Sequence, residues 1–206
     1  MSPRGVAIPG LRERLFDAAE RVLAREGPAA LTSRAVTGEA GCAKGVLHTH
    51  FEGLDAFVAE LVLDRFARTA RRAAELPALA GRSTVPENLT TVALALLGSL
   101  DPTVVGLAMT RADAALRIRT ALAEGAPGFA AIEESVTAYL DAEVRRGRLA
   151  AATDTAAAAL ALVGTVHHLL MTGPGGAFDP RERVERLVAL LVGPAPAGEC
   201  GAGPTV

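Results

Sequence analysis

A twelve-residue stretch near the N-terminus, CAKGVLHTHFEG at residues 42–53, concentrates side chains that could do chemistry. It contains Lys44, the only lysine among 206 residues, together with His48 and His50, two of the four histidines. Such a group can ligate a metal, transfer protons in catalysis, or bind the phosphates and bases of a nucleic acid. The spacing of the residues distinguishes these three uses.

The spacing disfavours a metal site and a catalytic site. Two ligands on one helix face lie four residues apart, whereas His48 and His50 are two apart and diverge by about 200° around a helix. Cys42 and Lys44 do not complete a ligand set. Thr49 and its neighbour His50 do not face each other on a helix, and the chain has no GxSxG motif. We therefore predict no metal, no cofactor and no enzymatic activity.

Contact with a nucleic acid fits the same residues better. If residues 43–51 form a helix with Leu47 and Phe51 buried, the opposite face has a small centre and cationic or hydrogen-bonding flanks. Gly45, Val46 and Thr49 form the centre, Lys44 and His48 lie along one flank, and His50 lies along the other. Such a face suits the major groove, where a small centre allows close approach and the flanks reach phosphates or base edges.

The elements that must position this face are helical. Half of the residues are hydrophobic but only 3% are aromatic, and an alanine-rich composition of this kind favours helices over strands. Residues 11–26 form an amphipathic pattern that ends at Gly27. Thr32 or Ser33 can cap a short helix, which a left-handed Gly41 would close before a second helix over 43–51. This is the outline of a helix-turn-helix.

The rest of the chain is predicted to be helical with few interruptions. Helices are expected at about 54–76, 87–100, 103–124, 128–147, 153–173 and 179–192, with a break at 77–88. Arginines at the end of the 54–76 helix predict a solvated face: Arg65, Arg68, Arg71 and Arg72. The 153–173 helix is apolar almost all round and must be buried on most of its surface. Asp179 and Pro180 predict the start of the last helix.

Bulk properties limit the partners and the compartment. The net charge of -2 gives no general attraction to polyanions, so any nucleic-acid contact must come from a local patch. No apolar run approaches the roughly 20 residues of a membrane span, and MSPRGVAIPG lacks the apolar core of a secretory signal. We expect a cytoplasmic protein in which Cys42 and Cys200 are plain thiols. The Pro/Gly-rich tail, residues 193–206, is expected to be disordered.

Residues 31–51, LTSRAVTGEAGCAKGVLHTHF, resemble the DNA-binding signature of the TetR family of transcriptional regulators, whose usual form is close to LTxRxIAxxAGVSKGTLYxHFxSKEAL. The matching positions are Leu31, Thr32, Arg34, Ala40, Gly41, Lys44, Gly45, Leu47, His50 and Phe51, in register without a gap. Residues 147–171, GRLAAATDTAAAALALVGTVHHLLM, are similar to the family's turn into its penultimate helix. The resemblance covers about residues 11–192.

The resemblance implies an all-α fold of about nine helices. A helix-turn-helix DNA-binding domain would occupy 1–54, and a ligand-binding and dimerisation domain 55–192. The residues expected to contact DNA are Thr32, Ser33, Arg34, Lys44, Gly45, Val46, His48, Thr49 and His50. The implied function is a repressor that binds a palindromic operator as a homodimer, through helices near 153–173 and 179–192, and is released by a small molecule. Few charges between about 92 and 109 favour a largely apolar effector.

Three departures from the family pattern weaken the expected contacts to the DNA backbone. His48 replaces the usual tyrosine, which makes that contact sensitive to pH. Gly53 and Leu54 replace Ser-Lys, and Cys42-Ala43 replaces Val-Ser, whose serine would cap the recognition helix. Arg34 and Lys44 then carry more of the binding. The alternative is a helical ligand-binding or enzymatic dimer with little specific DNA binding.

A few other residues invite a functional interpretation. His167 and His168 diverge by about 100° on a helix, so at most one faces inward, and interface or core positions fit them better than a metal site. Tyr139, the only tyrosine, either lines a pocket or packs in the core. Met109 and Phe129 are more typical of a core than of a ligand site.

Overall fold

The computed structural model describes residues 10–99, 101–172 and 179–193, and every regular element there is helical. The α-helices are α1 (Leu11–Glu26), α2 (Ser33–Glu39), α3 (Val46–His50), α4 (Leu54–Ala73), α5 (Val85–Leu97), α6 (Pro102–Thr110), α7 (Ala112–Ala123), α8 (Phe129–Arg145), α9 (Thr155–Thr172) and α10 (Pro180–Val192). Short 3-10 helices lie at Pro28–Ala30 and Leu76–Leu79. The all-α prediction is confirmed. The predicted disordered tail beyond residue 193, with Cys200, lies outside the described residues.

One predicted helix is divided in two. The sequence pattern indicated a single helix over 103–124, but α6 ends at Thr110 and α7 begins at Ala112. Arg111 between them has an extended backbone, with φ -104° and ψ 105°, and its guanidinium pairs with the carboxylate of Asp55. No glycine or proline marks this break, so the local pattern did not reveal it.

The described residues fall into two compact units. The first comprises those within 1–66 and 100–126, and the second those within 67–99 and 127–206. Helices α1, α2, α3, α6 and α7 belong to the first unit, and α4 contributes to both. The functional division at residue 54 stays a prediction.

The core of the first unit is built on three phenylalanines. The rings of Phe16 and Phe57 lie 5.5 Å apart, and Phe51 packs edge-on against Phe57 at 5.0 Å. Leu15 and Leu47 beside them are fully buried. Because Leu47 and Phe51 come from the predicted recognition segment, this core fixes which face of α3 points outward.

Arg65 contradicts the prediction of a solvated arginine face at the end of α4. Its side chain is only 6% exposed and forms ion pairs with Glu20 at 2.8 Å, Asp17 at 2.9 Å and Glu13 at 3.2 Å. The hydrogen bond to Glu20 raises the pKa of the guanidinium. The three carboxylates all lie on α1, so Arg65 joins α4 to the first helix of the helix-turn-helix unit. Arg71 and Arg72 are exposed, as predicted.

In the second unit, α8 packs on α9 and α5 packs on α10. Tyr139 of α8 is completely buried, and its hydroxyl accepts a hydrogen bond from Asn88 Nδ2 of α5 at 2.9 Å. Glu143, also fully buried, accepts from the backbone N–H of Gly81 at 3.1 Å. Of the two interpretations of Tyr139, the structure therefore favours a packed core residue.

The burial of Tyr139 predicts a loss of stability at high pH. Burial, with a smaller contribution from the Glu143 carboxylate, raises the pKa of the tyrosine hydroxyl to about 12. In the unfolded chain this group ionises near 10, so its contribution is complete below pH 10 and disappears as the pH rises through 12. We expect the free energy of unfolding to fall by about 2 to 3 kcal/mol across that range. Urea titrations at several pH values would measure it.

Tyr139→Phe is the matched variant for this test. It should lack this decline and lose about 1 kcal/mol at pH 7, since Asn88 loses an acceptor. Tyr139 is the chain's single tyrosine, so ultraviolet absorbance of the phenolate reports its ionisation directly. Ionisation of the folded protein near pH 10 would contradict the prediction.

Helix α9 is apolar, yet a single chain does not bury most of it. Its 18 residues have a mean hydropathy of 1.4, so the helix has the length and composition of a membrane span. However, 39% of these residues are buried against other helices. The exposed residues include Leu160, at 59%, Gly164 and Met171, at 43%. These positions lie within about 40° of one another around the helix. The predicted burial on most of its surface is therefore not met within one chain.

The last helix begins where the sequence indicated. Asp179 accepts a hydrogen bond from the backbone N–H of Arg181 at 2.9 Å, and Pro180 occupies the first turn. Val184 and Val188 are buried, whereas Leu190 is 80% exposed. A leucine this exposed was not expected from the pattern.

Candidate nucleic-acid interface

Helix α2 is capped by hydrogen bonds at both ends, and those at its C-terminal end form the turn into α3. Thr32 caps the start, because its Oγ1 accepts from the backbone N–H of Ala35 at 3.1 Å. At the other end Gly41 has φ +65°, and the N–H groups of Cys42 and Gly41 donate to carbonyls of the last turn at 2.9 and 3.1 Å. These bonds form a Schellman motif, which requires the left-handed residue that glycine adopts without strain. Both capping predictions are confirmed.

Side chains of α1 hold this turn in place. Arg14 Nη2 donates to the carbonyl of Ala40 at 2.8 Å, directly before the turn. Arg21 Nε and Arg25 Nη2 donate to the carboxylate of Glu39 at 2.8 and 3.0 Å, and the bond from Arg21 lowers the pKa of Glu39. Sequence reasoning missed these residues because contacts between separate helices leave no local pattern.

The recognition helix is shorter than predicted. It begins at Val46 rather than Ala43, since residues 43–46 form a turn in which Val46 N–H donates to the Ala43 carbonyl at 3.0 Å. Gly45 is the N-cap and supplies no side-chain hydrogen bond. The helix has only one turn and a half, so its position depends on the buried Leu47 and Phe51 rather than on its own hydrogen bonds.

Most of the predicted DNA-binding residues lie on the exposed surface of the helix-turn-helix. Leu47 is fully buried and Phe51 is 4% exposed, as predicted. Seven of the predicted contact residues are exposed: Thr32, Arg34, Lys44, Gly45, His48, Thr49 and His50. Ser33 and Val46 are half-buried. Whether these residues contact DNA stays a prediction.

Two features of this surface bear on what it can bind. Neither Arg34 nor Lys44 forms an ion pair within the described ranges, so both charges are available for a phosphate. A Cβ built on Gly45 meets no atom within 4 Å, so the space in front of this residue is open. Thr49 Oγ1 donates to the Gly45 carbonyl at 3.0 Å, which leaves its methyl group and its acceptor capacity for a ligand.

Arginines of α7 and the preceding linker reach the segment that follows α3. Arg117 pairs with Glu52 at 3.0 Å, and Arg111 pairs with Asp55. Arg117 also lines a depression of about 430 Å³ together with His48 and His50.

In the part of the chain that is described, no three potential metal ligands come together. His167 and His168 are exposed, which removes the core interpretation of that pair.

This geometry defines an all-α protein whose N-terminal residues form a helix-turn-helix with an outward-facing, hydrogen-bonding recognition surface. Residues 15–61 match the sequence pattern of the family described as bacterial regulatory proteins, tetR family. No curated protein matches the chain in sequence.

Solved structures with the same fold cover nearly the whole chain. A putative TetR-family transcriptional regulator from Mesorhizobium loti superposes with a TM-score of 0.68 at 18% identity, over 91% of this chain and 96% of that one. The transcriptional regulator FadR from Bacillus subtilis, solved in complex with stearoyl-CoA, gives 0.63 at 19% identity over 88% and 97%. A TetR/AcrR family regulator from Thermobifida fusca gives 0.62 at 16% over 88% and 96%.

Residues 15–61 are therefore an N-terminal helix-turn-helix domain of the tetR family. The chain as a whole has the fold of the solved regulators of that family.

Proposed function

We propose that the protein is a ligand-responsive transcriptional regulator of the cytoplasm, a repressor that binds a palindromic operator as a homodimer. The observation that carries the proposal is the exposed recognition surface. Lys44 and Arg34 are exposed and have no ion-pair partner among the described residues, and Gly45 and Thr49 of the recognition segment are also exposed. The phosphate contacts fix the position of the protein on DNA, and base-edge contacts from the helix select the sequence.

Exposed apolar residues of α9 and α10 support the homodimer. Leu160 and Met171 of α9 and Leu190 of α10 are among the five large hydrophobic residues with high exposure in the described part of the chain. Large apolar side chains exposed along one face of a helix, as Leu160 and Met171 are on α9, are typical of an interaction surface. Pairing of the same face on two copies gives a closed twofold dimer, which presents two recognition helices to the two halves of a palindrome.

We further propose that a small-molecule effector acts through α4. This helix follows the recognition segment after three residues and continues from the first compact unit into the second. An effector can regulate only if it binds one arrangement of the DNA-binding surfaces more tightly than another. Displacement of the start of α4 near Leu54 would weaken operator binding. The stearoyl-CoA bound by FadR has a long apolar chain, in keeping with the largely apolar effector expected here.

A gel-shift experiment with the DNA upstream of the protein's own gene tests the proposal. Specific binding that weakens steeply with salt is the expected result, because neutralised phosphates release counterions. Equal binding to a scrambled fragment would instead support the alternative of a helical ligand-binding or enzymatic dimer. A titration of candidate effectors against the bound operator then tests release.

The exposed His48 predicts a contact with the DNA backbone. His48→Ala should weaken binding to every operator variant by about threefold or more, because a hydrogen-bond donor is lost from each protomer. Fluorescence anisotropy with labelled operator measures this.

His48→Gln keeps a hydrogen-bond donor and should retain most of the affinity. Glu134→Gln, at an exposed position of α8, is the control and should bind as the wild type does. Equal affinity of the wild type and His48→Ala would show that His48 does not contact phosphate.

A further inference from the structure

The recognition helix is held by an aromatic side chain at its end. Phe51 is the C-cap of α3, and its ring lies 6.0 Å from the ring of Phe16 on α1 and 5.0 Å from that of Phe57 on α4. Because α3 has five residues and its N-cap supplies no side-chain hydrogen bond, these ring contacts, together with the buried Leu47, decide its orientation. A shift of α1 relative to α4 therefore changes the direction of α3.

Arginine side chains of α1 and α4 lie over this aromatic cluster. Arg12 Cζ is 5.1 Å from the centre of the Phe51 ring, and Arg65 Cζ is 5.9 Å from the centre of the Phe16 ring. Arg12 pairs with Glu60 of α4, but its side chain is 57% exposed, so solvent weakens that pair. The Arg65 side chain is 6% exposed, and its interactions are screened far less. Arg65 is therefore the better shielded of these two links between α1 and α4.

The contact between Arg65 and Glu20 fixes both a distance and a direction. Arg65 Nε donates to Glu20 Oε1 and Nη2 donates to Oε2, each at 2.8 Å, which is the paired geometry of a guanidinium and a carboxylate. Glu20 lies four residues after Phe16, on the same face of α1. Arg65 lies about 12 Å beyond Phe57 along the axis of α4. The paired bonds thus set the position of one phenylalanine relative to the other.

We propose that Arg65 is a positioning residue for the recognition helix. Its paired bonds to Glu20 fix α4 against α1, so that Phe16 and Phe57 hold Phe51, and with it α3, in a single orientation. Arg65 contacts no DNA in this arrangement and acts through the aromatic cluster. The inference rests on the proposed function only for its effect on operator binding.

Hydrogen–deuterium exchange of the free, full-length protein tests the positioning itself. Arg65→Gln should raise the exchange rate of the amides of residues 46–51 about tenfold, because hydrogen bonds to a charged group no longer restrain the local opening of α3. Arg65→Lys keeps the charge but not the paired geometry, so it should restore only part of the protection. Unchanged exchange over 46–51 in Arg65→Gln would overturn the proposal.

Glu20→Gln is a second variant, chosen to keep the chain folded. Asp17 and Asp64 still accept hydrogen bonds from the Arg65 guanidinium at 2.9 Å each, so the buried charge keeps carboxylate partners. Exchange over 46–51 should rise in this variant as well. Combining it with Arg65→Gln should add little, because both changes remove the same contact.

Tyr139→Phe is the control for a general loss of stability, because Tyr139 lies in the second compact unit. This variant should leave exchange over 46–51 as in the wild type. Faster exchange there would show that these amides report overall stability rather than positioning, and the inference would fail.

Operator affinity separates positioning from a direct electrostatic effect. Glu20→Gln removes a negative charge, which by itself should strengthen binding to DNA. The proposal instead predicts binding about tenfold weaker than that of the wild type. The slope of log affinity against log salt concentration should stay the same, because no phosphate contact is removed. Binding by Glu20→Gln as tight as that of the wild type, or tighter, would overturn the proposal.

The two measurements distinguish failure of the positioning from failure of the proposed function. If the free protein shows the expected exchange and binds no operator, the positioning stands and the regulator proposal fails. If the wild type binds an operator and Glu20→Gln binds it equally well, the regulator proposal stands and the positioning fails.

Discussion

Replacing Leu190 with glutamate is expected to leave the chain folded but monomeric and to lower its operator affinity by about a hundredfold or more. Leu190 is 80% exposed, so the substitution removes no packing within one chain. In the proposed dimer the same side chain is buried against the partner, where an unpaired carboxylate is costly. A monomer binds each half-site independently, and the gain from two linked contacts is lost.

Light scattering after size exclusion and an operator titration test this prediction together. The wild type should have twice the mass of the 21.1 kDa chain, whereas Leu190→Glu should have the mass of one chain. Met109→Glu is the control, since Met109 is 56% exposed and lies on α6, outside the proposed interface. A Leu190→Glu variant that remains dimeric with full operator affinity would refute this interface.

Lys44→Ala should weaken binding to every DNA sequence by about tenfold at low salt, because the lysine is expected to neutralise a phosphate. The slope of log affinity against log salt concentration should become shallower by about 2, because one counterion fewer is released for each protomer.

Thr49→Ala should change base preference rather than general DNA affinity. A base-edge contact affects some operator variants and not others, by about 1 kcal/mol or more for each half-site.

Anisotropy titrations at four salt concentrations, against the operator and its single-base variants, separate the two effects. Arg145→Ala is the control for a change in net charge, because Arg145 is an exposed arginine in the last turn of α8. If Lys44→Ala and Thr49→Ala both leave DNA affinity and base preference unchanged, the recognition surface has been assigned to the wrong residues.

Features encoded locally were predictable from the sequence. The amphipathic pattern of α1 gave its bounds, residues 11–26, because apolar spacing and a Gly-Pro stop are local signals. The caps at Thr32 and Asp179 and the left-handed Gly41 were likewise read from residue type. The burial of Leu47 and Phe51 followed from their spacing of four, and it fixed the exposed face of α3.

Features that depend on tertiary contacts were not predictable. The division between α6 and α7 occurs at Arg111, which pairs with Asp55, a residue far away in sequence. Arg65 looked like part of a solvated arginine run, yet carboxylates of α1 bury and neutralise it. No local periodicity reports on such pairings.

Selection of genomic fragments bound by the purified protein tests the central claim most directly. The account predicts enrichment of a palindrome whose half-sites lie about one helical turn apart, with an affinity that falls steeply between 50 and 200 mM salt. Recovery of no common sequence, with equal weak binding to all fragments at each salt concentration, would contradict it.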